Sequence, residues 1–297
     1  MVRSKSVLQK LKNKSRKSGI SFQLLLQLFC QEEFLRRVSY SRYKESLILK
    51  GGLFLFTLTN FESRPTMDID FLLRNHSNDE QKMLIMIQNI IGCDTENDFV
   101  NYEIKGLQPI TEHKKYHGQR VKMIGVIDKT KTPFDIDFGI GDIVIPRPEV
   151  RQLNVQLEGF SKPEIFTYSL ESTIAEKWDA IIDRMQFNSR MKDFYDIYYL
   201  ANHYDYDGRK LQEAIYETLN NRGRIYERDT IDKVKALSKD KEILSRWNAF
   251  TRNTLDKELD FELVLDELIL FIKEPFNAIL NEEELLKGWE SGISKWE

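Results

Sequence analysis

The sequence predicts an α+β chain in which an α/β domain over residues 1–150 is followed by a helical domain over residues 151–297. Three observations predict it. From Met67 to Leu73 the apolar Met67, Ile69 and Phe71 alternate with Asp68 and Asp70, as a half-buried strand requires. Pro133-Phe134-Asp135-Ile136-Asp137-Phe138 repeats the alternation. Beyond residue 168 apolar residues recur almost throughout at helical spacing.

Taken in order, residues 20–40 carry Phe22, Leu24, Leu25, Leu26, Leu28, Phe29, Phe34 and Leu35 with broad helical periodicity, predicting a buried helix that ends at Ser39-Tyr40-Ser41. Gly51-Gly52 opens a second apolar helix, Leu53 to Leu58, and the Met67–Leu73 strand follows. Residues 78–92 form a helix with Met83, Leu84, Ile87, Ile90 and Ile91 inward, and strands are expected near 99–107, 119–128 and 133–138. Pro146, Pro148 and Pro163 and the weak helical signal between 143 and 168 place the domain boundary there. Ser169 to Arg184 and Arg190 to Leu200 are the strongest helices of the second domain. Others are expected near 208–221, 228–238, 240–250 and 260–273.

Composition narrows the function classes. At 297 residues, 41% hydrophobic and 31% charged, the chain is globular rather than disordered or fibrous. A net charge of -3 provides no global field for nucleic acid, but Arg3, Lys5, Lys10, Lys12, Lys14, Arg16 and Lys17 form a local basic cluster without an acid. It reads first as a solvated helix face and second as a contact for RNA phosphates. Cys30 and Cys93 lack disulfide or metal spacing and read as core thiols of a reducing compartment. No apolar run approaches the roughly 18 residues of a membrane span, and no signal-peptide core follows the basic start, so a cytoplasmic protein is expected.

The chemistry is carried by carboxylates. On a strand Asp68 and Asp70 project to one side, roughly 6 to 7 Å apart, a spacing from which both reach a pair of hard cations roughly 3.5 to 4 Å apart. Magnesium suits such oxygen donors. The second Asp-Ile-Asp-Phe adds a third carboxylate, and alternation alone does not choose between Asp135 and Asp137. Gly51 and Gly52 admit close approach of a phosphate chain to the free amides of a helix start, and Lys50, Arg64 and Thr66 are candidate phosphate contacts. In the helical domain Lys177 and Arg190 stand among apolar residues, where an unpaired cation is costly. They pair either with Asp193 and Asp196 or with a triphosphate.

Other signals carry less. Asp205-Tyr206-Asp207 is a chance acidic triplet, and His113 and His117 lack an accompanying zinc-ligand pattern. Gly139-Ile140-Gly141 lacks the third glycine and helix of a dinucleotide fingerprint. No Ser-His-Asp or Cys-His arrangement can be assembled from four histidines.

In their order these motifs resemble the AbiEii/AbiGii-type nucleotidyltransferase toxins of bacterial abortive-infection and toxin-antitoxin systems, including the MenT-like toxins. The resemblance rests on Leu49-Lys50-Gly51-Gly52-Leu53-Phe54 with Arg64-Pro65-Thr66-Met67-Asp68-Ile69-Asp70, on Asp137 to Asp142, on Ala175-Glu176-Lys177 to Arg184, and on Arg190-Met191-Lys192-Asp193, an R-x-K-D motif. It implies a polymerase-β-like nucleotidyltransferase domain with a mixed sheet flanked by helices, and a helical C-terminal domain that supplies Lys177 and the R-x-K-D motif. It also implies transfer of a nucleoside monophosphate from a nucleoside triphosphate to an acceptor, tRNA in MenT-like members, with pyrophosphate released. Carried over, Asp68, Asp70 and Asp137 hold Mg2+ in a two-metal site, Gly51 and Gly52 cradle phosphates, Lys177 binds the triphosphate and Asp193 orients the lysine or the substrate. Arg190 and Lys192 join the nucleotide-binding set. A cognate antitoxin protein is the implied partner, phage defence the implied setting, and no membrane is involved. Where many members place Ser or Thr after the glycines this chain has Leu53, which removes a hydroxyl contact to the phosphate or a site for regulatory modification. The rival readings are a nucleotidyltransferase acting on a protein or a small molecule, and a nucleotide-binding module without turnover.

Overall fold

The computed structural model describes residues 4–110, 118–255 and 257–297; Arg3, His113 and His117 of the sequence reading lie outside the described residues. The chain forms two compact units, Met1–Gly141 with Glu149–Thr167, and Asp142–Pro148 with Tyr168–Glu297. No helix among the described residues is long and apolar enough to cross a membrane.

The first unit begins with helices α1 (Ser4–Ser18) and α2 (Phe22–Tyr40), then strand β1 (Leu47–Lys50) and helix α3 (Gly51–Leu58). Strand β2 (Ile69–Leu73) and helix α4 (Glu80–Ile91) precede the long strands β3 (Val100–Ile110), β4 (Gly118–Ile127) and β5 (Thr130–Gly139), and the short β6 (Glu149–Gln152) and β7 (Glu164–Thr167) complete a seven-stranded sheet. The strand order is β3-β4-β5-β2-β1-β7-β6. The sheet is mixed: β2 runs parallel to β5 and β1 to β7, while the other neighbours are antiparallel. The proline-bearing stretch with little helical signal therefore supplies two strands.

Alternation on β2 and β5 puts Ile69, Phe71, Ile136 and Phe138 fully inside. The rings of Phe71 and Phe138, cross-strand neighbours, stack at 5.9 Å, a contact worth roughly 0.5 to 1.5 kcal/mol beyond their burial. The next residues along each strand, Asp70 and Asp137, emerge on the opposite face. The strand starts later than the periodicity suggests: Met67 is exposed and lies before β2. Its carbonyl accepts hydrogen bonds from the Nε2 atoms of Gln27 and Gln31, both at 2.5 Å, which removes it from the ladder.

Helix α2 is buried on nearly every side, charged residues included. Arg36 bonds Glu33 at 2.7 Å, Glu32, and the Ser161 carbonyl at 2.7 Å, and Glu32 accepts the Gln156 amide at 2.6 Å. Arg37 donates to the carbonyls of Val100 and Ile91. Removing one partner of such a network costs about 3–5 kcal/mol, because the other charge is left buried. The core-thiol reading holds for Cys30, fully buried with its thiol pushed up to about 12 by burial and then by Glu33. Cys93 is half-exposed, since it follows the end of α4 rather than lying in its apolar face.

The second unit contains α5 (Leu170–Arg184), α6 (Met191–His203), β8 (Tyr206–Asp207), α7 (Gly208–Asn221), α8 (Thr230–Lys235), α9 (Lys241–Phe250), α10 (Phe261–Asn281), β9 (Gly288–Glu290) and β10 (Lys295–Trp296). Helix α5 packs on α6 and α7, and α10 on α6, α7 and α8. Edge-to-face pairs Trp178–Phe276 and Phe194–Phe261 lock these contacts. The three short strands pair in the order β10-β9-β8. Trp289 and Trp296 close on Phe271, their indoles donating to the carbonyls of Ala201 at 2.7 Å and Phe271 at 3.0 Å. The triplet 205–207 is structural: Asp207 caps α7, and Asp205 accepts from the amide and hydroxyl of Ser291.

Candidate active site

Strand register assembles the carboxylates. Asp70 on β2 stands beside Asp137 on β5, Lys50 on β1 beside Asp70, and Arg120 on β4 beside Asp137. The row across four strands reads Lys50, Asp70, Asp137, Arg120, two cations enclosing two carboxylates. Asp135 sits two residues before Asp137 and projects to the same face. Asp68 lies one residue before β2, its backbone anchored through the glutamine-held carbonyl of Met67.

The glycine pair is shaped by these side chains. Gly51 opens α3 at φ +68°, a left-handed conformation that other residues resist, and a Cβ there would fall 2.7 Å from Cγ of Asp70. At Gly52 a Cβ would fall 2.7 Å from Oγ1 of Thr66 and 3.3 Å from Nη1 of Arg64. Lys50 is the N-cap residue and its side chain does not cap the helix. Asp70, Thr66, Arg64 and Lys50 therefore converge on the start of α3, whose first-turn amides carry the partial positive charge of a helix N-terminus.

Electrostatics mark the cluster. Burial lifts the Asp68 carboxyl above its ordinary range, and the neighbouring charges of Asp70 and Asp137 lift it further against the pull of Arg120. Both oxygens of Asp137 accept from Arg120, Oδ1 from Nε at 2.7 Å and Oδ2 from Nη2 at 2.6 Å, while Nη1 lies 3.6 Å from Asp135. An oxygen-only donor set that is partly buried and mutually repelling has the chemistry of a hard divalent cation site. Among the described residues no three acidic, cysteine or histidine side chains are gathered as a group that could hold a metal ion.

Sequence reasoning missed Arg120. Its signal was available: Arg120 and Lys122 alternate with buried Val121 and Met123, and a two-residue turn at Asp128-Lys129 fixes the hairpin register that pairs them with Asp137 and Asp135.

In the second unit Lys177 is buried on α5 and bonds Asp196 at 2.5 Å and Asp193 at 3.4 Å. Arg190, preceding α6, donates from Nε to Asp193 at 2.7 Å. Burial by itself would raise Asp193, but Lys177 and Arg190 together hold it below its ordinary range. Of the two pairings open in the sequence, the one with Asp193 and Asp196 is formed. Lys192 is half-exposed on α6. Arg222 was not anticipated: at the end of α7 it bonds Asp142 at 2.9 Å, Glu176 at 2.9 Å and Asp179 at 2.7 Å, fastening the 142–148 segment to α5.

A family model described as the nucleotidyl transferase AbiEii toxin of type IV toxin-antitoxin systems matches residues 33–281. Two crystal structures share the fold, a candidate nucleotidyltransferase from H. pylori and JHP933 from Helicobacter pylori. Each has a TM-score of 0.51 and 18% identity over 89% of this chain, covering 100% of the first and 96% of the second. No curated protein matches the chain.

Proposed function

The chain belongs to the AbiEii nucleotidyl transferase toxin family of type IV toxin-antitoxin systems, and from that premise we propose that it transfers a nucleoside monophosphate from a nucleoside triphosphate to the 3' end of tRNA in a metal-dependent reaction. The observation that carries the proposal is the row Lys50, Asp70, Asp137 and Arg120, with Asp68 beside it and Gly51 opening a helix against Asp70.

Asp68 and Asp70 would hold Mg2+, with Asp137 as the third carboxylate. Bound there, Mg2+ supplies Lewis-acid stabilisation of phosphoryl charge and lowers the pKa of a coordinated hydroxyl. The side chains do the rest. Gly51 and Gly52 leave the α3 amides open to phosphate oxygens, and Lys50, Arg64 and Thr66 border the same helix start, where they neutralise and orient the triphosphate. Lys177, Arg190 and Lys192 carry a phosphate-binding role, with Asp193 fixing the heads of the first two. Leu53 provides no hydroxyl after the glycines, so amides and cations carry phosphate recognition there. The exposed lysines of α1 are proposed to steer the RNA backbone. A cognate antitoxin, a role in phage defence and a cytoplasmic location complete the reading.

The test is incubation of purified protein with Mg2+, total bacterial tRNA and each α-labelled nucleoside triphosphate, beside an Asp68→Ala/Asp70→Ala control. Label on tRNA with wild-type protein only is expected, and chelation abolishes it. Label on protein in place of RNA moves the acceptor to a polypeptide; no label on any acceptor, with nucleotide bound, overturns the proposal.

A further inference from the structure

Arg120 holds Asp137 with the planar fork geometry that makes arginine–carboxylate pairs strong and directional. The contact is built into the sheet, because the two residues face each other across the β4–β5 ladder and project to the same side. It uses both oxygens of the carboxylate that stands in register with Asp70. Asp135, its further neighbour, lies at a longer 3.6 Å, so Asp137 is the principal partner.

A carboxylate engaged through both oxygens has fewer lone pairs directed at a cation on its other side, and a guanidinium beside a cation site repels the ion it adjoins. Arg120 is therefore more than a scaffold charge. Its guanidinium stays cationic at any working pH, as arginine does in proteins.

We propose that Arg120 is a positioning residue that competes with the divalent cation for Asp137: it neutralises the third carboxylate in the metal-free protein and yields it when cation and nucleotide bind. The inference rests on the reading of Asp68, Asp70 and Asp137 as the metal-binding carboxylates. Arg120 thereby sets how much divalent cation the protein needs, and keeps the carboxylate cluster from repelling itself apart without metal. The Asp137 side chain is 18% exposed and that of Arg120 36%, so the competition is screened and moderate.

The test is direct Mn2+ binding to the full chain, read by electron paramagnetic resonance with a non-hydrolysable triphosphate analogue present. Wild type, Arg120→Gln, Asp137→Asn, the double variant and Asp68→Ala are compared. Arg120→Gln is expected to bind Mn2+ about three- to tenfold more tightly, and the gain is expected to vanish in the Asp137→Asn background, because the two effects share one contact. Arg120→Lys, which keeps the charge and loses the fork, should fall between and serves where the glutamine variant does not fold. Binding unchanged or weakened in folded Arg120→Gln or Arg120→Lys, with wild-type binding lost in Asp68→Ala, overturns the competition and leaves the metal-site reading standing. A gain that persists without the Asp137 carboxylate also overturns it, since Arg120 would then act by general repulsion. No Mn2+ binding to wild type overturns the metal-site reading and the competition together.

Discussion

The carboxylate of Asp70 occupies the space that a side chain on Gly51 would need: a Cβ there would lie 2.7 Å from Cγ of Asp70, and the residue sits at φ +68°. The helix start and the acidic strand meet through the absence of one carbon atom. Gly51→Ala is expected to cost about 1–3 kcal/mol in strain and overlap and to lower nucleotide transfer by about 10²-fold through displacement of Asp70. Thermal unfolding and pyrophosphate release, measured on one preparation, separate the two effects. Normal turnover in the alanine variant would mean that the contact is incidental.

Asp68 depends on residues far from it in sequence. Gln27 and Gln31 both donate to the Met67 carbonyl, so α2 fixes the backbone from which Asp68 projects. The double change Gln27→Leu/Gln31→Leu leaves that carbonyl without its two donors, at a cost of about 1–3 kcal/mol. Catalysis should suffer more than stability, since a displacement of about 1 Å at a reacting group can cost about 10²-fold. The expected signature is a lower kcat with little change in nucleotide affinity. A fall in melting temperature alone would reduce the glutamines to core hydrogen bonds.

Much of this site was legible because its information is local. Alternation at 69–73 and 133–138 shows which face Asp70, Asp135 and Asp137 take, and the glycine pair announces a close approach, whereas Asp68 lies before β2 and outside its alternation. Lateral register was not legible, because the parallel pairing of Asp70 with Asp137 joins strands that no short turn connects. Arg120 is within reach of the hairpin rule, but a lone arginine in a strand has no pattern of its own. Strand β1 was hidden for a different reason: Leu47, Ile48 and Leu49 form an unbroken apolar run, buried on both sides, in which period two is silent. In the second unit, strands of two and three residues are too short for any periodicity, and the tryptophans of β9 and β10 reach back to α6 and α10.

Arg222 is the corresponding linchpin of the second unit. Its side chain is mostly buried and satisfies Asp142, Glu176 and Asp179 together, although Asp179 also has Arg224 at 2.7 Å. Burial by itself would depress the guanidinium, and the three carboxylates hold it above its ordinary range. Arg222→Ala leaves acidic groups without their counter-ion and is expected to cost about 3–5 kcal/mol. Urea unfolding followed by tryptophan fluorescence reads this unit alone, since Trp178, Trp247, Trp289 and Trp296 are the four tryptophans of the chain and all lie within it. An unchanged midpoint would show that the ion cluster is solvated and contributes little.

The Asp68 carboxyl is lifted above its ordinary value of 3.8 first by burial and then by the negative charges of Asp70 and Asp137. The native protein therefore binds this proton more tightly than the unfolded chain does, and the sign follows from linkage. Protonation stabilises the fold fully below the ordinary value, and that contribution is lost as pH rises through the elevated one. Asp68→Asn mimics the protonated form, so without divalent metal it is expected to raise the melting temperature at neutral pH. The advantage should shrink as pH falls below the ordinary carboxylate value, where wild type carries the proton itself. Saturating Mg2+ should reverse the order, stabilising wild type and leaving the asparagine variant behind, because an oxygen site that repels itself when empty is the one that gains most from a cation. Melting curves from about pH 4 to about pH 8, with and without Mg2+, test both halves. A variant less stable than wild type at neutral pH without metal would mean that Asp68 is held by favourable partners, and that the three carboxylates do not form the strained cluster a metal would relieve.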